Sequence, residues 1–152
     1  MSKGKVYLAG VISGFNYAEA NDWREDAKKE LEKWDIVAAS PMRWKDHLGR
    51  EDKLDVMGYA SDVMSNTRGI TTRDRWDVKT ADVVIANLLN TKIASIGTCL
   101  EMAWADLQRT PIIAIMEPEG NPHEHAMLSE IISYRVETVE QALEVAKKIL
   151  VC

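Results

Sequence analysis

Asp82-Val83-Val84-Ile85-Ala86-Asn87-Leu88, followed by Ser95-Ile96-Gly97-Thr98-Cys99-Leu100-Glu101, is the stretch that decides the fold. The first run is apolar at nearly every position, the pattern of a parallel strand covered on both faces. The second is a small, Gly-containing turn that opens a helix-like run, Met102 to Arg109. Strand, turn and helix in this order carry Glu101 beyond the carboxyl end of a sheet strand, where open α/β sheets bind their ligands. Two readings of Glu101 stand side by side. Thr98-x-x-Glu101 is a capping box, with Thr98 as N-cap and Glu101 reaching back to its amide. Glu101 is also a carboxylate that a helix N-terminus keeps ionised and therefore nucleophilic.

Outward from this stretch the chain alternates in the same way. Lys5 to Gly10 reads as a buried first strand, and a loop runs from Val11 to Asn16. Residues 17–34 predict a helix with Ala20, Trp23, Ala27, Leu31 and Trp34 on its apolar face. Ile36 to Ala39 is a short strand stopped by Ser40-Pro41. Helices are expected over 72–80 and over 97–110, the latter with Leu100, Ala103, Trp104 and Leu107 inward. Pro111 to Met116 reads as a strand, 124–133 as a short helix and Tyr134 to Glu137 as a short strand. A last helix over 139–150 is capped by Thr138. Residues 42–72 are the least regular, and dense in charge. A helix over 51–65 with Leu54, Met57 and Val63 inward is the expectation there. A polar insertion at this point reads either as a lid or specificity loop or as a plain surface excursion. The whole is expected to be α/β, Rossmann- or flavodoxin-like, with about five parallel strands flanked by helices. One domain spanning 1–152 is expected.

Composition bounds the function. A net charge of −5, from 19 Lys and Arg against 24 Asp and Glu, opposes nonspecific nucleic-acid binding, which needs a basic footprint. Three His and two distant cysteines, Cys99 and Cys152, offer neither metal-ligand spacing nor a disulfide framework. No cofactor or metal is expected, and a reducing cytoplasm is the simplest compartment. No apolar run reaches membrane-spanning length and no signal-peptide pattern opens the chain, so no membrane partner is expected. No GxGxxG follows the first strand, and no GxxxxGK[ST] or GxSxG occurs. This counts against a dinucleotide site, a P-loop and a hydrolase nucleophile elbow.

Four features fall where chain ends converge on the carboxyl edge of such a sheet. They are Tyr7-Leu8-Ala9-Gly10, Thr72-Arg73-Asp74-Arg75-Trp76-Asp77, Asn87 after Ala81-Asp82-Val83-Val84, and Ser95-x-Gly97-Thr98-x-x-Glu101. Together, and in this order, they resemble the nucleoside 2-deoxyribosyltransferase family, nearest its small phage and bacterial members and the related deoxynucleoside 5′-monophosphate N-glycosidases. The resemblance runs from Lys5 to the final helix.

The resemblance implies roles by position. Glu101 would attack the anomeric carbon of a 2′-deoxynucleoside and form a glycosyl-enzyme ester; a second nucleobase would then take the sugar, with retention. Tyr7 would orient the carboxylate. Asp74 would contact the base and handle its proton, with Asp77 the weaker candidate. Substrate-binding positions would be Gly10, Ser13, Phe15, Trp76, Asn87, Ser95, Gly97, Thr98, His125 and Met127, with His125 preferred over His123. Asp82 reads as structural, at the far end of its strand. The substrates implied are 2′-deoxynucleosides and free nucleobases. A homo-oligomer with shared active sites is implied, because a neighbouring subunit reaches the sugar 5′ end in this family.

One departure bears on substrate. Transferases of free nucleosides often carry Asp where this chain has Ser95, and Ser there suits a 5′-phosphate. The monophosphate glycosidases, however, carry Arg in the loop after the first strand, and here Val11-Ile12-Ser13-Gly14-Phe15 offers none. Arg24, Arg43 or a protonated His125 are the candidate substitutes. The transferase reading stands first, the monophosphate N-glycosidase second. A nucleotide-binding module without catalysis is a third, opposed by the set Tyr7, Asp74 and Glu101.

Overall fold

The apolar runs assemble into one parallel sheet. The computed structural model describes residues 1–152, with strands β1 (Gly4–Gly10), β2 (Ile36–Ala39), β3 (Val83–Asn87), β4 (Ile112–Ile115) and β5 (Tyr134–Val136) in the order β2-β1-β3-β4-β5. The helices are α1 (Tyr17–Glu32), α2 (Thr67–Lys79), α3 (Ile96–Leu107), α4 (Ala126–Ile131) and α5 (Val139–Leu150). This is the α/β architecture expected. Its strand order is that of flavodoxin-like folds, whose topological switch point lies between β1 and β3.

Side chains alternate across the sheet and both faces are covered. Val6, Leu8, Val83, Ile85, Ile113 and Ile115 pack on Ala27 and Leu31 of α1 and on Ala142 and Ala146 of α5. Tyr7, Ala9, Val84, Ala86, Ile112 and Ala114 pack on Val78 of α2 and on Met102 and Ala105 of α3. Burial on both faces is why β3 and β4 read as continuous apolar runs rather than alternating ones. Tyr7 pairs with Val84, and Gly10 with Asn87. Residue 10 must be glycine: its φ is +151°, and a Cβ there would lie 2.8 Å from the Asn87 carbonyl oxygen.

Several local expectations are corrected. No helix forms over 51–65; a single 3₁₀ turn, Asp46–Leu48, is followed by turns up to α2. Asp55 accepts from the Met57 amide, and Asp62 accepts from the Met64 amide and the Ser65 hydroxyl. Such local side-chain bonds compete with helix. Of the three residues expected inward, Leu54 is buried, while Met57 and Val63 are exposed. Leu54 also exchanges backbone bonds with Gly14 and Phe15, so the segment clasps the loop after β1. The helix expected over 72–80 begins earlier, at Thr67, where the Asn66 side chain accepts from the Gly69 amide. Trp34 lies beyond the end of α1, 43 % exposed, with the Lys147 ammonium 4.6 Å from its ring centroid. On α3 the inward stripe is Thr98, Glu101, Met102 and Ala105, and the large residues Leu100 and Leu107 face out. Of the expected stripe only Trp104 packs on the core, half-buried, while Leu100, Ala103 and Leu107 are exposed.

Candidate active site

α3 starts at Ile96, with Ser95 as N-cap: the Ser95 hydroxyl accepts from the Thr98 amide and shares a 2.9 Å hydrogen bond with the Thr98 hydroxyl. Thr98 is thus not the N-cap, and Glu101 does not reach back to close a capping box. Met102 and Ala105 dock on the sheet, and the 3.6-residue period turns Glu101 to the same side. There the Tyr7 hydroxyl donates to Glu101 Oε1 at 2.7 Å. Burial pushes the Glu101 carboxyl up to about 8, and the Asp74 charge pushes the same way; the Tyr7 bond, Arg24 and Lys45 pull it down. The expectation that the helix N-terminus keeps this carboxylate ionised is corrected. Glu101 sits in the second turn, beyond the reach of the terminal dipole, and desolvation wins. Burial and the neighbouring carboxylates hold the Tyr7 hydroxyl well above the usual phenol range, so it remains a donor.

Asp74 projects from α2 and is buried at 7 % exposure. Burial raises its carboxyl to about 6 against the pull of Lys45 and Arg73. Its Oδ1 has no hydrogen-bond partner. The Arg73 Nε stands 3.8 Å from it and is also without one. The other Arg73 nitrogens donate to the carbonyls of Arg43 at 3.1 Å and Pro41 at 2.5 Å, bracing the loop after β2. Asp77, the alternative acid, is consumed by structure: Arg43 grips it with two bonds of 2.5 and 3.0 Å, and Lys5 adds a third at 3.3 Å.

The cations considered for a phosphate are accounted for differently. Arg24 is fully buried, donating to the carbonyls of Leu8 and Gly10 at 3.0 Å each and to that of Ala20. It braces the end of β1 and does not face solvent. Arg43 is held by Asp77. His125 is exposed and caps α4, accepting from the Met127 amide.

The other positions fall into three groups. Ser95, Gly97 and Thr98 lie at the start of α3, and nothing comes within 4 Å of a Cβ built on Gly97, so its backbone is open to a ligand. Asn87 ends β3 with its Oδ1 on the Leu89 amide. Phe15 packs on the small cluster of Ala20, Met42, Leu48 and Leu54, while Ser13 is exposed beside it. Trp76 and Met127 are exposed, at 61 % and 74 %.

Two features escaped reading along the chain. His123 is buried: its Nε2 accepts from the Ser95 amide at 2.8 Å, and its Nδ1 shares a bond with Asn121 Oδ1. The Asn121 amide in turn donates to the Leu88 carbonyl and to Glu117. This chain of bonds fixes the turn that opens α3. The second is Lys45, buried at 6 % exposure although it lies in the charged run Arg43-Trp44-Lys45-Asp46-His47. Nothing in its local sequence separates it from solvated neighbours; only the folded loop does.

The sequence profile of a family described as Nucleoside 2-deoxyribosyltransferase matches residues 6–144. No curated protein matches the chain in a sequence comparison. Among solved structures, a 2-desoxiribosyltransferase from Leishmania mexicana superposes with a TM-score of 0.64 at 14 % identity, over 95 % of this chain and 97 % of its own. A conserved protein from Enterococcus faecalis gives 0.65 at 20 %, over 97 % and 99 %. A CMP N-glycosidase from Clostridium botulinum gives 0.59 at 16 %, over 96 % and 99 %. At these identities the structural likenesses establish the fold.

Proposed function

We propose, from the premise that this chain belongs to the nucleoside 2-deoxyribosyltransferase family, that it cleaves the N-glycosidic bond of 2′-deoxynucleosides and transfers the sugar to another nucleobase. The observation that carries this reading is the 2.7 Å bond from the buried Tyr7 hydroxyl to Glu101, with Asp74 near enough to raise the Glu101 carboxyl further. A carboxylate aimed by a phenol beside a second, protonatable carboxyl is the apparatus of displacement at an anomeric carbon.

Burial raises both carboxyls, Glu101 to about 8 and Asp74 to about 6, so near neutral pH the pair keeps one proton between them. A nucleobase seated on Asp74 removes its remaining water and raises it. The proton then resides on Asp74, and Glu101 is left ionised with the Tyr7 bond to steady it. Glu101 attacks C1′, the electron pair of the C1′–N bond leaves with the base, and Asp74 supplies the proton that makes the base a better leaving group. A second base reverses these steps and releases the sugar with retained configuration.

The hydrolase alternative, acting on 5′-monophosphates, is favoured by Ser95 beside the open Gly97 backbone at the start of α3. It is opposed by the loss of two of its three candidate cations, since Arg24 is locked under β1 and Arg43 is held by Asp77, which leaves the exposed His125. A shared site in a homo-oligomer is supported by the outer stripe of α3, where Ile96, Leu100 and Leu107 are exposed, with Trp76 of α2 and Met127 of α4 also bare. Apolar faces of this kind mark contact surfaces.

The test is a panel of deoxynucleosides and their monophosphates, each with and without an acceptor base, read by chromatography, with the intact protein weighed during turnover. Base exchange together with a sugar adduct lost in Glu101→Ala supports the proposal. Free base released from monophosphates only, without exchange, replaces it with the hydrolase.

A further inference from the structure

Lys45 is a buried cation that the chain leaves unpartnered. Its side chain is buried, yet no carboxylate lies within 4 Å of its ammonium and no hydrogen bond of the fold engages it. The loop that carries it is built rather than loose. Arg73 bonds the carbonyls of Pro41 and Arg43, Arg43 bonds Asp77, and Met42 is buried. Trp44 takes the left-handed region at φ 64°, uncommon for so bulky a residue, with its ring in solvent while the next side chain turns inward. The charges facing Lys45 are Asp74 and Arg73 from α2, Arg24 from α1 and Glu101 from α3, with Asp74 the strongest. On α2, to which Arg73 ties this loop, Asp74 Oδ1 is also buried and without a hydrogen-bond partner. Asp74 Oδ1 is fully withdrawn from water and Lys45 keeps only a small opening to it, 6 % of the residue; leaving both unpaired is costly, and a fold that does so leaves them for a ligand.

We propose that Lys45 and Asp74 form a subsite for the N7/O6 edge of a 6-oxopurine, which makes Lys45 the residue that sets base specificity. The inference rests on the proposed deoxyribosyl transfer. A 6-oxopurine offers two adjacent acceptors along that edge, whereas a 6-aminopurine offers one acceptor and one donor. An ammonium has only donors, so it bonds O6 and opposes the amino group of adenine. The chemistry follows the same geometry. Glu101 forms its bond to C1′ as the C1′–N9 bond breaks, the electron pair passes into the purine, and the Asp74 proton moves to N7. Lys45 keeps its protons throughout and holds O6, where negative charge collects as the base departs.

The experiment compares deoxyinosine with deoxyadenosine, near-isosteric purines, as substrates of the wild-type protein, Lys45→Met and Lys45→Arg. In parallel, free hypoxanthine and adenine are titrated into each protein by calorimetry. The wild type is expected to favour deoxyinosine. Lys45→Met should lose about 10- to 100-fold more in kcat/KM on deoxyinosine than on deoxyadenosine, the weight of one hydrogen bond to a charged group, over any loss common to both from the carboxyls it no longer pulls down. Lys45→Arg should recover part of the loss. Hypoxanthine affinity should fall with the same substitution and adenine affinity should not. An equal loss on both purines, an effect confined to 5′-monophosphates, or a wild type that binds adenine as tightly as hypoxanthine overturns the proposal. A protein that turns over no deoxynucleoside but still binds hypoxanthine through Lys45 supports the subsite and refutes the transfer reaction.

Discussion

Glu101 is held where it is least comfortable as an anion, and this has consequences for both stability and rate. Its carboxyl stands at about 8 in the folded chain, against roughly 4.3 in an unfolded one. Between those values the folded state binds more protons, so stability falls as pH rises through the window and stays low above it. Replacing Glu101 with Gln removes the penalty. The Tm of Glu101→Gln should exceed that of the wild type at pH 8.5 and converge with it near pH 4, while turnover drops on the order of 10⁴-fold or more. An unchanged Tm difference across pH would contradict the buried-carboxyl account. The pair itself predicts a bell. The proposed mechanism needs one proton shared between Asp74 and Glu101, so kcat/KM should peak between about 6 and about 8. Tyr7→Phe deletes the bond that lowers the Glu101 carboxyl. The lower activity should come with a basic limb moved to higher pH, and a pH-rate profile of that variant reads both.

Elements position the site more than they supply it. β1 carries Tyr7 and ends at a glycine that no other residue can replace without meeting the Asn87 carbonyl at 2.8 Å. Gly10→Ala should destabilise by about 1–3 kcal/mol in urea unfolding, the range of comparable backbone strain. The turn before α3 is fixed from outside by His123, which accepts the Ser95 amide through Nε2. Burial holds the His123 imidazole below its ordinary value, so it stays neutral and able to accept. A group whose folded value is depressed loses its contribution as pH falls through the unfolded value, and here that falls near 6.5. His123→Leu should cost about 1–3 kcal/mol at pH 7.5, with the deficit against the wild type shrinking toward pH 5. A deficit constant with pH would show that the histidine acts by packing alone.

At the scale of the molecule, α3 turns Glu101 inward on one side and a bare apolar stripe, Ile96, Leu100 and Leu107, outward on the other. The exposed stripe of α3 is therefore expected to seat a second copy. Leu107→Asp, at a residue 83 % exposed, should leave the fold intact by circular dichroism and convert the oligomer to monomer in sedimentation. A wild type that is monomeric and active ends the shared-site idea. No helix is long and apolar enough to cross a membrane.

The sequence by itself determined the strands, the order of the alternation and hence the parallel sheet, because buried strands must be apolar and crossovers must be helical. It also marked Tyr7, Asp74 and Glu101, since their residue types and order make a recognisable set in the chain. It misjudged α3 and the segment 51–65 because hydrophobic periodicity weighs side-chain bulk, whereas the site spends an inward face on Thr98 and Glu101. Only the tertiary structure decided which charges were free. Arg24, Arg43 and Asp77 look like Lys45 in a one-dimensional reading. Their partners lie 14 to 72 residues away in the chain, and pairing across such separations is settled by packing, which consumed three of these charges and left Lys45 without a mate.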